Sequence, residues 1–395
     1  MVPDWKALLP HRPLDPDTEQ YVDARNGGGE RIAQWLLAGR TTVLVAGPVG
    51  IGKSTELARA AKLLQVERAA CLIRLDRFEN MKRVVVDQIL LRIAGQLVTM
   101  AISELKLPVS HGLRNALERR GVLDAALLSQ TVMTLIRAAG KENAHSAFDA
   151  SPSNILMLAV AEVAGLAHRR IALLLDGLEK LPEGPVISEV FEGLGMLSDD
   201  VDLVVVLPWS LAFGAGPDTI LRAGEYLVTL RPPEVEGAPG EPGRTFLSEL
   251  LARRLKLAAG TVAPDRSDRQ PPTFAGLELL DIKVVTIAAM FSGGVPRTFL
   301  QLIADAGTYA RMRRKDPWPS EADLMDAVAD QKDSFRRILR RGDDDAIRSA
   351  NGYDGRELEL ERKIRLLAHG VLLERIRGGK PVLTVHPLVA SVLNS

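Results

Sequence analysis

The residues best suited to chemistry stand together in one stretch, Gly47-Pro48-Val49-Gly50-Ile51-Gly52-Lys53-Ser54-Thr55. The spacing is G-x-x-x-x-G-K-[ST], placed after a β-branched apolar run (Thr41 to Ala46) and before a predicted helix, which is the context that gives the pattern meaning. Glycines at 47, 50 and 52 allow backbone conformations closed to other residues and let successive N–H groups converge on an anion. A helix beginning at about Lys53 adds its free N–H groups and the positive end of its dipole. Lys53 is expected to reach the β- and γ-phosphates of a nucleotide, and the Ser54 hydroxyl to coordinate Mg²⁺. A glycine-rich turn with an incidental Lys-Ser would not require these flanks, so the stretch reads as a nucleotide-binding P-loop.

A second stretch, Ile171-Ala172-Leu173-Leu174-Leu175-Asp176, is an apolar run ending in a carboxylate. The other half of a phosphate site needs this: a strand buried beside the P-loop strand, with Asp176 aimed at Mg²⁺. Glu179 follows three residues later and either polarises the attacking water or is a solvated carboxylate at a helix start. Val201 to Leu207 forms another buried strand, whose tip, Pro208-Trp209-Ser210, would face the γ-phosphate. Ser210 is then a phosphate contact or a helix cap.

Around these residues the chain has room for more than one domain, with 395 residues. Lys plus Arg and Asp plus Glu stand at 50 each, so no global charge draws the chain to nucleic acid or anionic lipid. One cysteine, Cys71, rules out a disulfide framework or a thiolate metal site and reads as a small buried hydrophobe. The segment MVPDWKALLP lacks the apolar centre of a secretory signal, and no run is expected to approach the roughly 18 apolar residues of a membrane span. The reading is a cytoplasmic protein with no membrane partner.

In order, residues 1–29 form a proline- and charge-rich lead-in, and Glu30 to Ala38 a helix stopped by Gly39. Ala69 to Leu75 is a second parallel strand, and helical spacing fills residues 79–104 and about 113–139, an insertion spanning 79–150. Pro152 opens a helix through Ala167, and Tyr226 to Leu230 is an edge strand. The proline- and glycine-rich stretch up to Gly243 separates a phosphate-binding domain, 30–236, from a helical one, 244–341. The latter holds helices at 246–257, 277–291, after Gly293-Gly294-Val295-Pro296-Arg297, and from a Ser320-x-x-Asp323 capping box through Arg341. From 342 to 395 the rhythm is helix, strand, Gly378-Gly379 turn, strand and short helix, the plan of a winged helix.

The ordered set Gly47 to Ser54, Leu173 to Asp176 with Gly177-Leu178-Glu179, Val201 to Leu207, and Gly294-Val295-Pro296-Arg297 resembles AAA+ and STAND ATPases of the additional-strand P-loop class. The overall plan is similar to origin-recognition-like ATPases, over about residues 20 to 395. The resemblance implies an α/β three-layer parallel sheet, then an all-α lid and a C-terminal winged-helix module. It implies ATP and Mg²⁺ as cofactors, a Pro296 near the adenine, and an Arg297 sensing the γ-phosphate. It places an arginine finger at Arg222, although a surface arginine before an edge strand fits that position equally. The sequence departs from the pattern at Gly177, where many AAA+ enzymes have Glu, and at the Pro208-Trp209-Ser210 tip.

Three function classes follow. One is a nucleotide-driven switch that hydrolyses ATP and engages a protein partner, with nucleotide-dependent oligomerisation. Another is an ATP-dependent DNA-binding AAA+ accessory protein serving replication, transposition or defence. A metabolic kinase is the weakest, because no acceptor site is visible beside the P-loop. Residues 342–395 carry eight basic and eight acidic side chains, which favours a protein partner over nucleic acid. The clusters Arg311-Arg313-Arg314-Lys315 and Arg336-Arg337-Arg340-Arg341 supply the DNA alternative.

Overall fold

The structure, a computed structural model, describes residues 5–8, 20–22, 27–123, 150–181, 184–197, 201–213, 226–236, 242–255, 280–314 and 318–393. The expected finger Arg222, the later part of the 113–139 helix and Lys315 lie outside the described residues. The chain divides into two compact units. A sheet unit comprises Gly29–Ala46 and Glu56–Val228, and a helical unit comprises Met1–Gly28, Gly47–Thr55 and Thr229–Ser395.

In the sheet unit, runs of β-branched and aliphatic residues bounded by polar turns form strands β1 (Thr42–Ala46), β2 (Ala69–Arg74), β3 (Ile171–Asp176), β4 (Val201–Val206) and β5 (Tyr226–Thr229). Their order is β2-β3-β4-β1-β5, and β2–β3, β3–β4 and β4–β1 pair in parallel. Strands β1, β3 and β4 are buried at every position, as parallel strands covered on both faces must be. The expectation that the Asp176 strand lies beside the P-loop strand is corrected: β4 stands between them, with Leu44 opposite Val205 on one side and Leu173 opposite Leu203 on the other. The all-apolar stretch from Leu203 to Val206 suits β4 to that central slot, since neither of its faces meets water.

Helices α1 (Gly28–Leu37), α2 (Lys53–Leu64), α3 (Val86–Ser103), α4 (His111–Arg119), α5 (Pro152–Ala167), α6 (Pro185–Gly195) and α7 (Trp209–Phe213) flank this sheet. Pro152 in the first turn of α5 and the Ser151 hydroxyl accepting from the Asn154 amide begin that helix as expected. The expectation about apolar runs needs correction at α3, which has 18 residues and a mean hydropathy of 1.2, long and apolar enough to cross a membrane. Asp87 and Arg92 hide the run in the sequence. In the fold Ile89, Ile93, Leu97 and Val98 of α3 join the core that covers the sheet.

Two polar clusters tie the unit together. The Asp202 carboxylate, at the start of β4, pairs with Arg68 Nε at 2.7 Å and Arg170 Nε at 2.5 Å. Glu56, on α2, accepts from the Gly29 amide at 2.6 Å while Glu30 pairs with Arg59 at 2.7 Å, which fastens the start of α1 to α2.

The helical unit contains α8 (Pro242–Arg254), α9 (Ile282–Phe291), α10 (Pro296–Arg314), α11 (Glu321–Arg336), α12 (Asp343–Ala350), α13 (Leu360–Ala368), the antiparallel strands β6 (Leu372–Arg377) and β7 (Lys380–Val385), and α14 (Pro387–Leu393). Its core joins Leu247, Val284, Phe299, Ile303, Leu324 and Leu388 with Trp5 and Leu8, so residues of the lead-in belong to it. The Ser320 hydroxyl accepts from the Asp323 amide and the Asp323 carboxylate from the Ser320 amide, closing the capping box at α11. That helix ends at Arg336 rather than Arg341, and α12, a helix not expected from the sequence, follows Gly342. The buried Asp343 explains the break: it accepts from the Arg340 amide at 2.7 Å and from Arg365 Nη2 at 2.6 Å, and its carboxyl is held below the usual range.

Candidate functional site: the P-loop and its neighbours

The P-loop leaves the carboxyl end of β1 and enters α2. Gly50 and Gly52 take φ of +86° and +105°, a region in which a side chain is strained. A Cβ on Gly52 would meet nothing within 4 Å, so its φ alone favours glycine there. The Thr55 amide donates to Gly52 O at 2.9 Å and the Ile51 amide to Pro48 O at 3.4 Å, which holds the curve. Lys53 is only 9% exposed, and its ammonium donates to Gly47 O at 2.9 Å and Pro48 O at 3.2 Å. Ser54 is half-buried in the first turn of α2, and Val49 stands out to solvent. A bound polyanion would meet a desolvated cation and a helix N-terminus in one place.

Pro296 and Arg297, the first two residues of α10, come to the same loop within the helical unit. The Arg297 amide donates to Gly50 O at 3.2 Å, and the Arg297 side chain lies over Gly50. Their approach is set by the turn before them: Gly293 and Gly294 take φ of +58° and +81°, the Ser292 hydroxyl accepts from the Gly294 amide, and Val295 is buried.

The remaining candidates belong to the sheet unit. Asp176 closes β3, is 4% exposed, and among the described residues its carboxylate takes part in no hydrogen bond or ion pair. A carboxylate without a protein partner at the end of a buried strand is suited to meet a cation. Gly177, at φ +102°, turns the chain into a short 3₁₀ turn, Leu178–Lys180. There Glu179 accepts from the Gly177 amide at 3.1 Å, and Lys180 pairs with Asp76 beyond β2. Ser210 sits in the first turn of the five-residue α7, and the tip of β4 is filled by a buried Trp209.

In strand order, β1 and β3 are separated by β4 and run the same way, so the P-loop and Asp176 both leave carboxyl ends of one parallel sheet. Such ends are where open α/β sheets bind ligands. Each unit by itself fits part of a nucleoside triphosphate with Mg²⁺: the loop, Lys53 and the Ser54 hydroxyl of the helical unit suit phosphates, and the Asp176 carboxylate of the sheet unit suits a cation.

Asp202 and Arg375 carry no motif, although each leaves a trace in the sequence. Asp202 interrupts an otherwise apolar strand, and Arg375 shares the alternation of Val371 and Leu373, a charge in a core-facing slot.

No family model and no curated protein matches the sequence. Among solved structures, a Walker-type ATPase of Pyrococcus abyssi is similar at 14% identity with a TM-score of 0.52, over 98% of this chain and 100% of that one. Drosophila ORC bound to DNA matches at 11% identity and a TM-score of 0.43, over 99% of this chain and 90% of that one. C. elegans PCH-2 matches at 11% and 0.38, over 77% and 67%. Likeness at the level of these last two carries no inference about this chain. The strand order and the first comparison agree on the fold, an α/β parallel sheet with flanking helices shared with that Walker-type ATPase.

Proposed function

We propose that this chain binds ATP with Mg²⁺ on the P-loop and hydrolyses it slowly as an AAA+ or STAND-like switch that engages a protein partner. The observation that carries the reading is the P-loop geometry, with Gly50 and Gly52 at positive φ and a desolvated Lys53 at the start of α2. Lys53 exchanges its carbonyl acceptors for phosphate oxygens, while the amides at the start of α2 face the same charge. Ser54 and Asp176 would be the ligands of Mg²⁺, which when bound would supply neutralising charge at the β- and γ-phosphates. Glu179 is the candidate for orienting water, and Pro296 and Arg297 are the candidates for reading the nucleotide.

Balanced charge supports a protein partner, because residues 342–395 carry eight cations and eight anions. The order helix, β6–β7 hairpin and α14 supports the winged-helix reading, a module able to present a surface whose position follows the nucleotide. The DNA reading keeps one observation in its favour: Arg337, Arg340 and Arg341 are exposed beyond α11.

Equilibrium titration of the full chain with a fluorescent ATP analogue, with Mg²⁺ and with EDTA, tests the reading beside phosphate release with and without DNA. Lys53→Ala is expected to abolish tight binding. A Lys53→Ala chain that binds as the parent does would refute the P-loop assignment, and turnover stimulated by DNA would transfer the proposal to the DNA-binding alternative.

A further inference from the structure

Arg375, on β6, is 7% exposed, yet it makes contacts well outside its own hairpin. Nη2 donates to Gly293 O at 2.6 Å, Nη1 to Pro232 O at 3.2 Å and Pro233 O at 3.1 Å, and Nε to Thr384 Oγ1 at 3.2 Å. Burial pushes its pKa down, so the cation is kept by these acceptors and not by water. An aliphatic side chain would fill the slot at lower desolvation cost. What arginine adds is a rigid fork that fixes the positions of several carbonyls at once.

Those carbonyls belong to two segments that reach the P-loop. One runs from Leu230 to Pro233: a Cβ on Gly47 would lie 2.9 Å from Leu230 O, and Arg231 pairs with Glu374, the neighbour of Arg375 on β6, at 2.5 Å. The other is the Gly293–Arg297 turn, whose last residue donates its amide to Gly50 O. The two segments also meet each other, because Gly294 approaches Pro233 O so closely that a Cβ would stand 2.1 Å from it. Every one of these residues lies in the helical unit.

We propose that Arg375 is a positioning residue for the nucleotide: through Gly293 and the Leu230–Pro233 segment it ties the conformation of the P-loop to the β6–β7 hairpin. The proposal rests on the ATP reading above for its ligand, while the mechanical link stands on the hydrogen bonds alone. Thermodynamic reciprocity then requires that a nucleotide seated on the P-loop changes the protection of the hairpin, and that loosening the hairpin weakens the nucleotide.

The test is amide hydrogen exchange of the full chain together with binding of a fluorescent ATP analogue. In Arg375→Met, which keeps the volume, exchange at the Arg297 amide is expected to rise about tenfold and the analogue to bind about tenfold more weakly, as coupling of ordinary size dictates. Amides of Leu173 to Leu175 in β3 and of Leu302 in α10 serve as controls and are expected to stay unchanged. Arg375→Lys keeps the charge but not the fork, and is expected to restore only part of the affinity. In the parent chain, where no variant has to fold, the analogue is expected to slow exchange at Leu373 and Thr384. Unchanged Arg297 exchange in a folded Arg375→Met, or a saturated parent whose hairpin exchanges as before, would overturn the link. A parent that binds no analogue would defeat the ATP reading instead, and Arg297 exchange in the variant would still decide whether the link exists.

Discussion

The main-chain amide of Arg297 donates to the carbonyl of Gly50 across 3.2 Å, and its side chain lies so close above that glycine that a Cβ there would stand 2.6 Å from the Arg297 Cβ. The start of α10 and the tip of the P-loop therefore share one main-chain hydrogen bond and one van der Waals contact. A conformational change in the loop has to move, break or strain that contact, which gives a few atoms of the loop leverage over a helix of 19 residues.

Gly50→Ala is expected to be far more damaging than Gly39→Ala, although both glycines have positive φ, +86° and +94°. At Gly39 nothing lies within 4 Å of a Cβ, leaving only a backbone cost of about 1 kcal/mol. At Gly50 the methyl group also collides with Arg297, so analogue binding should fall at least about tenfold. Thermal melts and titrations of the two variants side by side distinguish the cases.

Asp176→Asn is expected to separate stability from chemistry. In EDTA the melting temperature should hold, because among the described residues no hydrogen bond or ion pair depends on that carboxylate and asparagine is a near isostere. Mg²⁺-dependent turnover should be crippled, with much of the nucleotide affinity retained. A melting temperature that drops in EDTA would mean that the carboxylate serves the fold.

Glu179→Gln keeps an acceptor for the Gly177 amide, so the 3₁₀ turn should persist. Turnover is expected to fall by about 10²–10⁴-fold, the usual loss when a general base is removed, with binding intact. Unaltered phosphate release would assign Glu179 to the turn alone.

Asp202→Ala leaves Arg68 and Arg170 without their shared anion at the start of β4. A cost of about 2–3 kcal/mol is expected in denaturant unfolding, at the low end for a buried pair because both arginines are partly solvated. Affinity for the analogue under native conditions should be untouched, since Asp202 opens β4 at the end opposite its carboxyl tip.

Acid should loosen the helical unit through His386. Its Nδ1 accepts from the Leu388 amide at 3.2 Å, and its ring packs against Phe335 at 5.0 Å. Burial, with the positive charge of Arg375 beside it, brings its pKa down to about 3 from an ordinary 6.5. The unfolded chain therefore binds the proton first, so this contribution is complete above pH 6.5 and is lost as the pH falls toward 3. Its slope is at most about 1.4 kcal/mol per pH unit. His386→Asn preserves an acceptor for Leu388 but does not titrate, and its stability should fall less on acidification from neutral pH in otherwise identical melts.

Much of this protein is written locally. The glycines and Lys53-Ser54 specify the P-loop because backbone freedom and a helix start are properties of neighbouring residues, and Asp176 is visible because a carboxylate ends an apolar run. The capping box at Ser320 and the Gly378-Gly379 hairpin were legible for the same reason. The place of β4 between β1 and β3 was not, since apolar runs of similar length carry no label for their neighbours and only sheet pairing assigns the order. Nor was the role of Arg375, whose partners Pro232, Pro233 and Gly293 lie 82 to 143 residues away in the chain. Hydrogen bonds between such distant segments exist only once the core has brought them together, so tertiary packing alone decided what that arginine holds.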